Sequence, residues 1–320
     1  MAIATSTSYI RPNTFVKEDV AKINPSVAHI MITNSGMLAI TVLMHWAKKN
    51  GYTVYSEETT YLETRGLINY TNLLDLRKKD PEIPEKAAII IDSPNVFGYS
   101  FDIKTLAEKA HKVNSILIVD CSYCSSFLDT SLSDGADFVV EALAKYTLAN
   151  QYTLLGAIYN NSLSHDEWHL FEACASNIGV NINNDQVSFL RTRLQWLPSR
   201  MATITSNASE VAKILQDEWG LPATSSNRSG VIVIPYDLLN VFSKSTVFTP
   251  FATYGGDKSI YTQCVHNSHH TNLPQLPYLR LSIGIEAIDV LKQELDNLHK
   301  IYTGTNGFGD ELSRLIKGEA

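Results

Sequence analysis

Two short runs limit the architecture more than anything else in the chain. Residues 87–91 (AAIII) and 116–119 (ILIV) are apolar at every position, and each run ends in an aspartate, Asp92 and Asp120. A segment this short and this uniformly apolar reads as a strand buried on both faces, as in the interior of a parallel sheet. Similar runs stand at 28–32 (AHIMI), at 53–55 after Gly51, at 138–140 after Gly135, and at 154–159. Helical spacing of apolar residues fills 37–46 and 104–113. Strands alternating with helices imply parallel strands joined by crossover helices, so a doubly wound α/β layer is expected.

The second half has a different texture. Residues 185–219 are rich in helix formers and are broken at Pro198, with helix expected again over 201–216. Residues 230–235 (GVIVIP) and 279–283 (LRLSI) read as strands, and 242–261 as turns with short apolar pieces. Residues 287–302 carry Ile288, Leu291, Leu295 and Leu298 at helical spacing, an amphipathic terminal helix. The composition shifts near 175–185, which divides the chain into a unit of 1–178, with a short arm over 1–25, and a unit of 179–320. With 44% hydrophobic and 18% charged residues, the chain has enough apolar material for a full core, which excludes disorder as its main state. Lys and Arg number 26 against 33 Asp and Glu, a net charge of -7, so no nucleic-acid partner is expected. No apolar run approaches the roughly 18 residues that span a bilayer, and the Ser/Thr-rich start has no secretory pattern. Four cysteines make no disulfide framework, and a cytoplasmic location is expected.

Open α/β sheets bind ligands beyond the carboxyl ends of their strands, so the residues there come first. Asp120 is either a turn cap or an anion for a cationic ligand atom. Lys145 lies in EALAKY, flanked by Ala142, Leu143, Ala144 and Tyr146. It is either a solvated surface charge or a partly desolvated amine, and desolvation would lower its pKa toward the range of a nucleophile or base. An Asp at one strand end and a Lys after the next can converge on one crevice. That geometry suits pyridoxal 5'-phosphate, with the lysine carrying the cofactor as a Schiff base and the aspartate keeping the ring nitrogen protonated. Ser35, Gly36 and Met37 precede a helix, as a phosphate cradle or as a plain cap. Arg280 stands inside the apolar LRLSIGIE. It is either a carboxylate fork facing a cleft or a surface arginine on an edge strand. Cys121 and Cys124 form a CxxC, readable as a redox pair or as part of the Asp120 strand end. Cys264, His266, His269 and His270 cluster without a second ligand group, which favours a polar loop over a metal site. The Gly-rich 303–310 follows a helix rather than a strand and reads as a tail.

Taken together, these segments resemble the cystathionine γ-synthase and cystathionine γ-lyase group of Cys/Met-metabolism pyridoxal-phosphate enzymes. YIRPNT (9–14) is similar to the Tyr-x-Arg segment that reaches the phosphate of a neighbouring subunit, which implies that role for Tyr9 and Arg11. NSGMLAI (34–40) is similar to the phosphate loop, and TTYLET places Tyr61 where the family has its ring-stacking tyrosine. IDSPNVFG (91–98) is similar to the Glu-Ser-Pro…Asn-Pro loop, with Asn95 one position before the family's asparagine and Val96 in its place. IVDCSY (118–123) implies Asp120 on the pyridine nitrogen, and DGADFVVEALAKY (134–146) implies Lys145 on the aldehyde. TYGGDKS (253–259) and LRLSIGIE imply Thr253 and Arg280 at the substrate carboxylate. Ala142 and Ala144 stand where the family has phosphate-binding hydroxyls, and Asp257 where it has Glu.

The resemblance implies a fold type I transferase-like α/β domain with a mostly parallel sheet flanked by helices, plus a smaller C-terminal α+β domain. It implies elimination or replacement at the γ or β carbon of an amino acid bearing a sulfur, oxygen or halogen substituent. Lys145 and Tyr61 would be catalytic, with Tyr61 able to shuttle a proton as a phenolate. A homodimer or homotetramer with shared active sites is implied as well, with no membrane partner. The missing hydroxyls at 142 and 144 raise the alternative of a cofactor-poor scaffold on the same fold.

Overall fold

The computed structural model of the chain describes residues 18–20, 24, 27–68, 72–78, 80–150, 152–266 and 276–303. The short apolar runs form one seven-stranded sheet: β1 (His29–Thr33), β2 (Thr53–Glu57), β3 (Leu73–Leu74), β4 (Ala87–Asp92), β5 (Ile116–Asp120), β6 (Phe138–Glu141) and β7 (Gly156–Asn160), in the order β1-β7-β6-β5-β4-β2-β3. Strands β3, β2, β4, β5 and β6 run parallel. Every residue of β4 and β5 is buried, as the all-apolar runs require.

The sheet is mostly parallel, as the resemblance implies, with one strand reversed. Strand β7 is antiparallel to both β6 and β1. A parallel return needs a crossover long enough to carry the chain back, usually through a helix. Among the described residues no helix lies between β6 and β7, and the connection instead holds Lys145.

Helices cover both faces. α1 (Gly36–Lys49) is capped by Ser35, whose side chain accepts from the Leu38 N–H at 3.0 Å. Its buried residues Ala39, Ile40, Leu43 and Ala47 pack in one cluster with Ile90, Ile118, Val140 and Ile158 of the sheet. Phe171 of α5 (His165–Asn177) joins them; sequence patterning missed this helix. Short α2 (Leu62–Leu67), α3 (Ile103–Lys112) and α4 (Ser125–Leu128) complete the first half. α3 is capped by Asp102, which accepts from the Thr105 N–H at 3.0 Å.

α6 (Asn184–Leu194) and α7 (Leu197–Asp217) follow. The break falls before Pro198, not after it. The proline lies in the first turn of α7, where its missing N–H costs nothing. A second sheet holds β8 (Thr224–Ser225), β9 (Val231–Pro235), β10 (Thr249–Pro250), β11 (Ile260–His266) and β12 (Leu276–Ser282), in the order β10-β11-β12-β9-β8. Helices α8 (Leu239–Phe242) and α9 (Ile288–Tyr302) accompany it. β11 was expected as turn and loop. Its residues IYTQCVH mix polar and apolar side chains, and it is held by antiparallel pairing with β12 rather than by a local pattern. Strand β12 therefore lies between β11 and β9, so Arg280 is not on an edge strand. One apolar cluster joins the two halves, with Leu143 and Tyr146 packed among Leu190, Leu194, Met201, Ile204, Val231 and Val233.

Candidate active site

Four neighbouring strands end in an acid. Glu57 closes β2, Asp92 β4, Asp120 β5 and Glu141 β6, and all four are buried. Asp92 and Asp120 face each other in the ladder between β4 and β5. Carboxylates lose solvation when buried, so their neutral forms are favoured. Burial, followed by the nearby Asp120 and Glu57 carboxylates, pushes Asp92 well above the usual range, and its Oδ1 has no hydrogen-bond partner. Burial also raises Asp120, against the opposing hydrogen bonds from Ser122, whose N–H reaches Oδ1 at 2.9 Å. Glu141 accepts from the Ser126 N–H at 3.0 Å, the Tyr159 hydroxyl at 3.1 Å and the Thr147 hydroxyl.

Glu57 is pushed up by burial to about 7 from its ordinary 4.5, although Thr59 hydrogen-bonds it and Arg77 lies 3.7 Å away. A raised folded-state pKa means that protonation stabilises the fold. That contribution is complete below pH 4.5 and is lost as pH rises through about 7. The permanently neutral variant Glu57→Gln is therefore expected to match the wild type near pH 4.5. At pH 8 it should exceed it by about 3 kcal/mol, from a shift of 7 less 4.5 at about 1.4 kcal/mol per pH unit. Thermal unfolding of both proteins at the two pH values checks this, and a gap that does not widen with pH would contradict it.

Lys145 follows β6 and points back at this edge. Its Nζ donates to Thr253 Oγ1 at 2.7 Å and lies 4.8 Å from the centroid of the Tyr254 ring. Burial, and next the positive charge of Arg280, lower the amine from 10.5 to about 8, while Asp120 and Glu63 oppose the shift. The guanidinium of Arg280 sits 5.1 Å from the centroid of the same ring, and its Nη2 donates to the Thr253 carbonyl at 3.3 Å. The Tyr123 hydroxyl also bonds it, and the Tyr123 and Tyr254 rings stack 4.4 Å apart. Arg280 is buried, its Nε has no partner, and no carboxylate pairs with it among the described residues. A buried guanidinium without an anion is costly unless a ligand supplies one.

Gly36 brings the first turn of α1 against the lysine segment. A Cβ on Gly36 would stand 2.7 Å from the Cβ of Ala142, so only glycine permits this approach. Ser35 accepts from the N–H groups of Leu38 and Ala39, so the amides of Gly36 and Met37 are the ones available to an anion at this helix end. Tyr61 precedes α2 and is half exposed, with its N–H on Asp92 Oδ2 at 3.1 Å. Its phenol is hydrogen-bonded to Glu63, and burial, followed by that bond, holds the hydroxyl well above its ordinary pKa. The neutral phenol is thus the favoured form of Tyr61 in this setting. Asn95 is buried in its own turn. Its amide nitrogen donates to Thr59 Oγ1 at 2.8 Å, and its carbonyl accepts from the N–H groups of Phe97 and Tyr99 at 3.0 and 3.1 Å. Tyr9, Arg11, His269 and His270 lie outside the described residues. Cys121 and Cys124 are free and buried, and burial pushes both thiols up, the opposite of a reactive redox pair.

The structure thus brings Lys145, Asp120, Arg280, Thr253 and Tyr61 together near the strand ends, with Gly36 against Ala142 of the lysine segment. Sequence reasoning passed over Glu57, Glu63, Glu141 and Tyr254. The signal for two of them was available, since TVYSE and FVVE end in an acid just as AAIIID and ILIVD do. The residues suit pyridoxal phosphate. Amides at the end of a 14-residue helix could take its phosphate, a buried carboxylate its ring nitrogen, and a depressed amine its aldehyde.

An α/β layer with this arrangement at its strand ends defines a fold type I pyridoxal-phosphate enzyme. The chain belongs to the Cys/Met metabolism PLP-dependent enzyme family, which it matches over residues 8–225. It is similar to cystathionine gamma-synthase of Haemophilus influenzae, 27% identical over 231 residues, covering 66% of this chain and 61% of that relative. The fold is similar to the crystal structure of metB from Corynebacterium glutamicum, with a TM-score of 0.79 at 19% identity over 90% of this chain and 84% of that one. It is also similar to metY of Campylobacter jejuni, solved with N'-pyridoxyl-lysine-5'-monophosphate, with a TM-score of 0.74 at 20% identity over 90% and 85% of the two chains. No helix among the described residues is long and apolar enough to cross a membrane.

Proposed function

We propose that this chain catalyses pyridoxal-phosphate-dependent elimination or replacement at the γ or β carbon of an amino acid carrying a sulfur, oxygen or halogen leaving group. One observation carries the reading. A depressed amine, a buried carboxylate and a buried guanidinium with no carboxylate partner among the described residues lie together about the Tyr254 ring.

The cofactor, when bound, supplies an aldehyde for the lysine amine and a ring that takes up electrons from the substrate's α-carbon. Lys145 would hold that aldehyde and, once displaced by the substrate amine, would take the α-proton on Nζ. With an amine at about 8, a useful neutral fraction exists near pH 7. Asp120 would hold the ring nitrogen as a cation, and the amides of Gly36 and Met37 with Ser35 would hold the phosphate. Tyr61 would cover the ring and pass a proton between the leaving group and Glu63. Arg280 and Thr253 would fix the substrate carboxylate, and Asn95 would border the ring. Tyr9 and Arg11 would complete the phosphate site of a second subunit in a homodimer or homotetramer. In this reading residues 1–178 form the cofactor unit and 179–320 the carboxylate unit.

The test is an absorbance scan of the purified chain with added pyridoxal phosphate, followed by a panel of S-, O- and halogen-substituted amino acids assayed for ammonia and for the released group. A visible band and turnover of at least one γ-substituted substrate are expected. Ala142 and Ala144, which lack the hydroxyls, favour one other reading, a scaffold without cofactor. A chain that stays colourless at millimolar cofactor would select it.

A further inference from the structure

Lys145 is held by the segment that carries it, and that segment is gripped from outside the sheet. Arg200 of α7 is buried, and its Nη2 donates to the Tyr146 carbonyl at 2.7 Å and its Nη1 to the Thr147 carbonyl at 3.4 Å. Its Nε donates to Asp257 Oδ1 at 2.7 Å. The other oxygen of Asp257 accepts from Arg193 Nη2 of α6 at 2.9 Å. Asp257 belongs to the loop that also carries Thr253, the partner of the lysine amine. Within that loop Gly255 has φ +83, and a Cβ there would stand 2.7 Å from the Lys145 carbonyl carbon and 2.9 Å from the Tyr146 nitrogen. The loop therefore lies directly on the lysine backbone. One guanidinium ties the two strips together, with a fork that no other side chain offers.

We propose that Arg200 is a positioning residue for Lys145: by joining the carbonyls after the lysine to the loop of Thr253, it fixes the amine against the Thr253 hydroxyl and away from water. This rests on the reading of Lys145 as the reactive amine. The consequence is local. Without the clamp the amine gains solvent, and solvation favours its protonated form. Arg193 provides the control, because it shares Asp257 but has no bond to the lysine segment.

The experiment follows carbamylation of Lys145 by cyanate, a small reagent that attacks neutral amines, against pH by peptide mass spectrometry. The wild type, R200M, R200K and R193M are compared, with and without pyridoxal phosphate. The wild-type midpoint is expected near 8. R200M should shift it upward by about one pH unit, R200K by less, and R193M not at all. The visible band of R200M with added cofactor should titrate at a correspondingly different pH. Should R200M not fold, R200K decides on the same measure. Equal shifts in R200M and R193M, or a shift in neither, would overturn the proposal. The underlying reading fails separately, if cofactor gives no band that depends on Lys145 or does not protect Lys145 from cyanate.

Discussion

Lys145→Ala is expected to remove the visible band that pyridoxal phosphate gives with the wild type, and to reduce turnover by at least about a thousandfold. The size follows from the two tasks that fall on one atom. Nζ would hold the cofactor before the substrate arrives and take the α-proton afterwards. Thr253, its hydrogen-bond partner at 2.7 Å, has no basic nitrogen to substitute for it. The fold should survive. The lysine is a half-buried amine whose charge is disfavoured where it stands, so its loss relieves a cost rather than opening a core. Thermal unfolding within a few degrees of wild type, with the cofactor bound only reversibly, is the expected accompaniment. A small primary amine in the buffer should restore part of the turnover, whereas Lys145→Arg, charged at every working pH, should not. A Lys145→Ala protein with an unchanged absorbance band would end the assignment.

Arg280→Met carries the second large effect. A guanidinium fork on a carboxylate in a buried cleft is worth about 2–5 kcal/mol when one partner is truncated, so KM for amino-acid substrates should rise about thirtyfold or more. Arg280→Lys should fall between, keeping the charge but not the fork. Two further readouts separate this from general damage. The charge of Arg280 is the largest cause after burial of the lowered amine at 145, so the methionine variant should move that midpoint above about 8. Its removal also takes a buried, anion-free charge out of the folded chain, so cofactor-free Arg280→Met should melt no lower than wild type. An unchanged KM would show that the substrate carboxylate binds elsewhere.

What could be read from the chain alone follows from how local each signal is. Strands β4 and β5 announce themselves because burial on both faces leaves no position for a polar residue until the strand ends. The Asp120 and Lys145 pair was legible for the same reason, since chemistry at strand ends sits at fixed offsets from such runs. β11 was not legible, because IYTQCVH takes its conformation from seven pairings with β12 rather than from its own pattern. The direction of β7 was missed because a single apolar run carries no orientation. The raised pKa of Tyr61 was not legible, since its hydroxyl is governed by burial and by Glu63, and neither shows in the spacing TTYLET. Arg200 was invisible, because a lone arginine in a helix says nothing of carbonyls 53 and 54 positions away.

The row of acids along the sheet has a consequence for how the protein responds to its medium. Buried this closely, Glu57, Asp92 and Asp120 are all pushed toward their neutral forms, so this edge of the sheet tends to hold protons. In the proposed reading, a cationic ring at the end of β5 would favour ionisation of Asp120 and release a proton to the solvent. Acid would compete with that exchange and weaken the grip on the ligand. The same acid eases the crowding of an untenanted edge. As the medium sours, tenacity toward the ligand and comfort of the empty chain move in opposite directions.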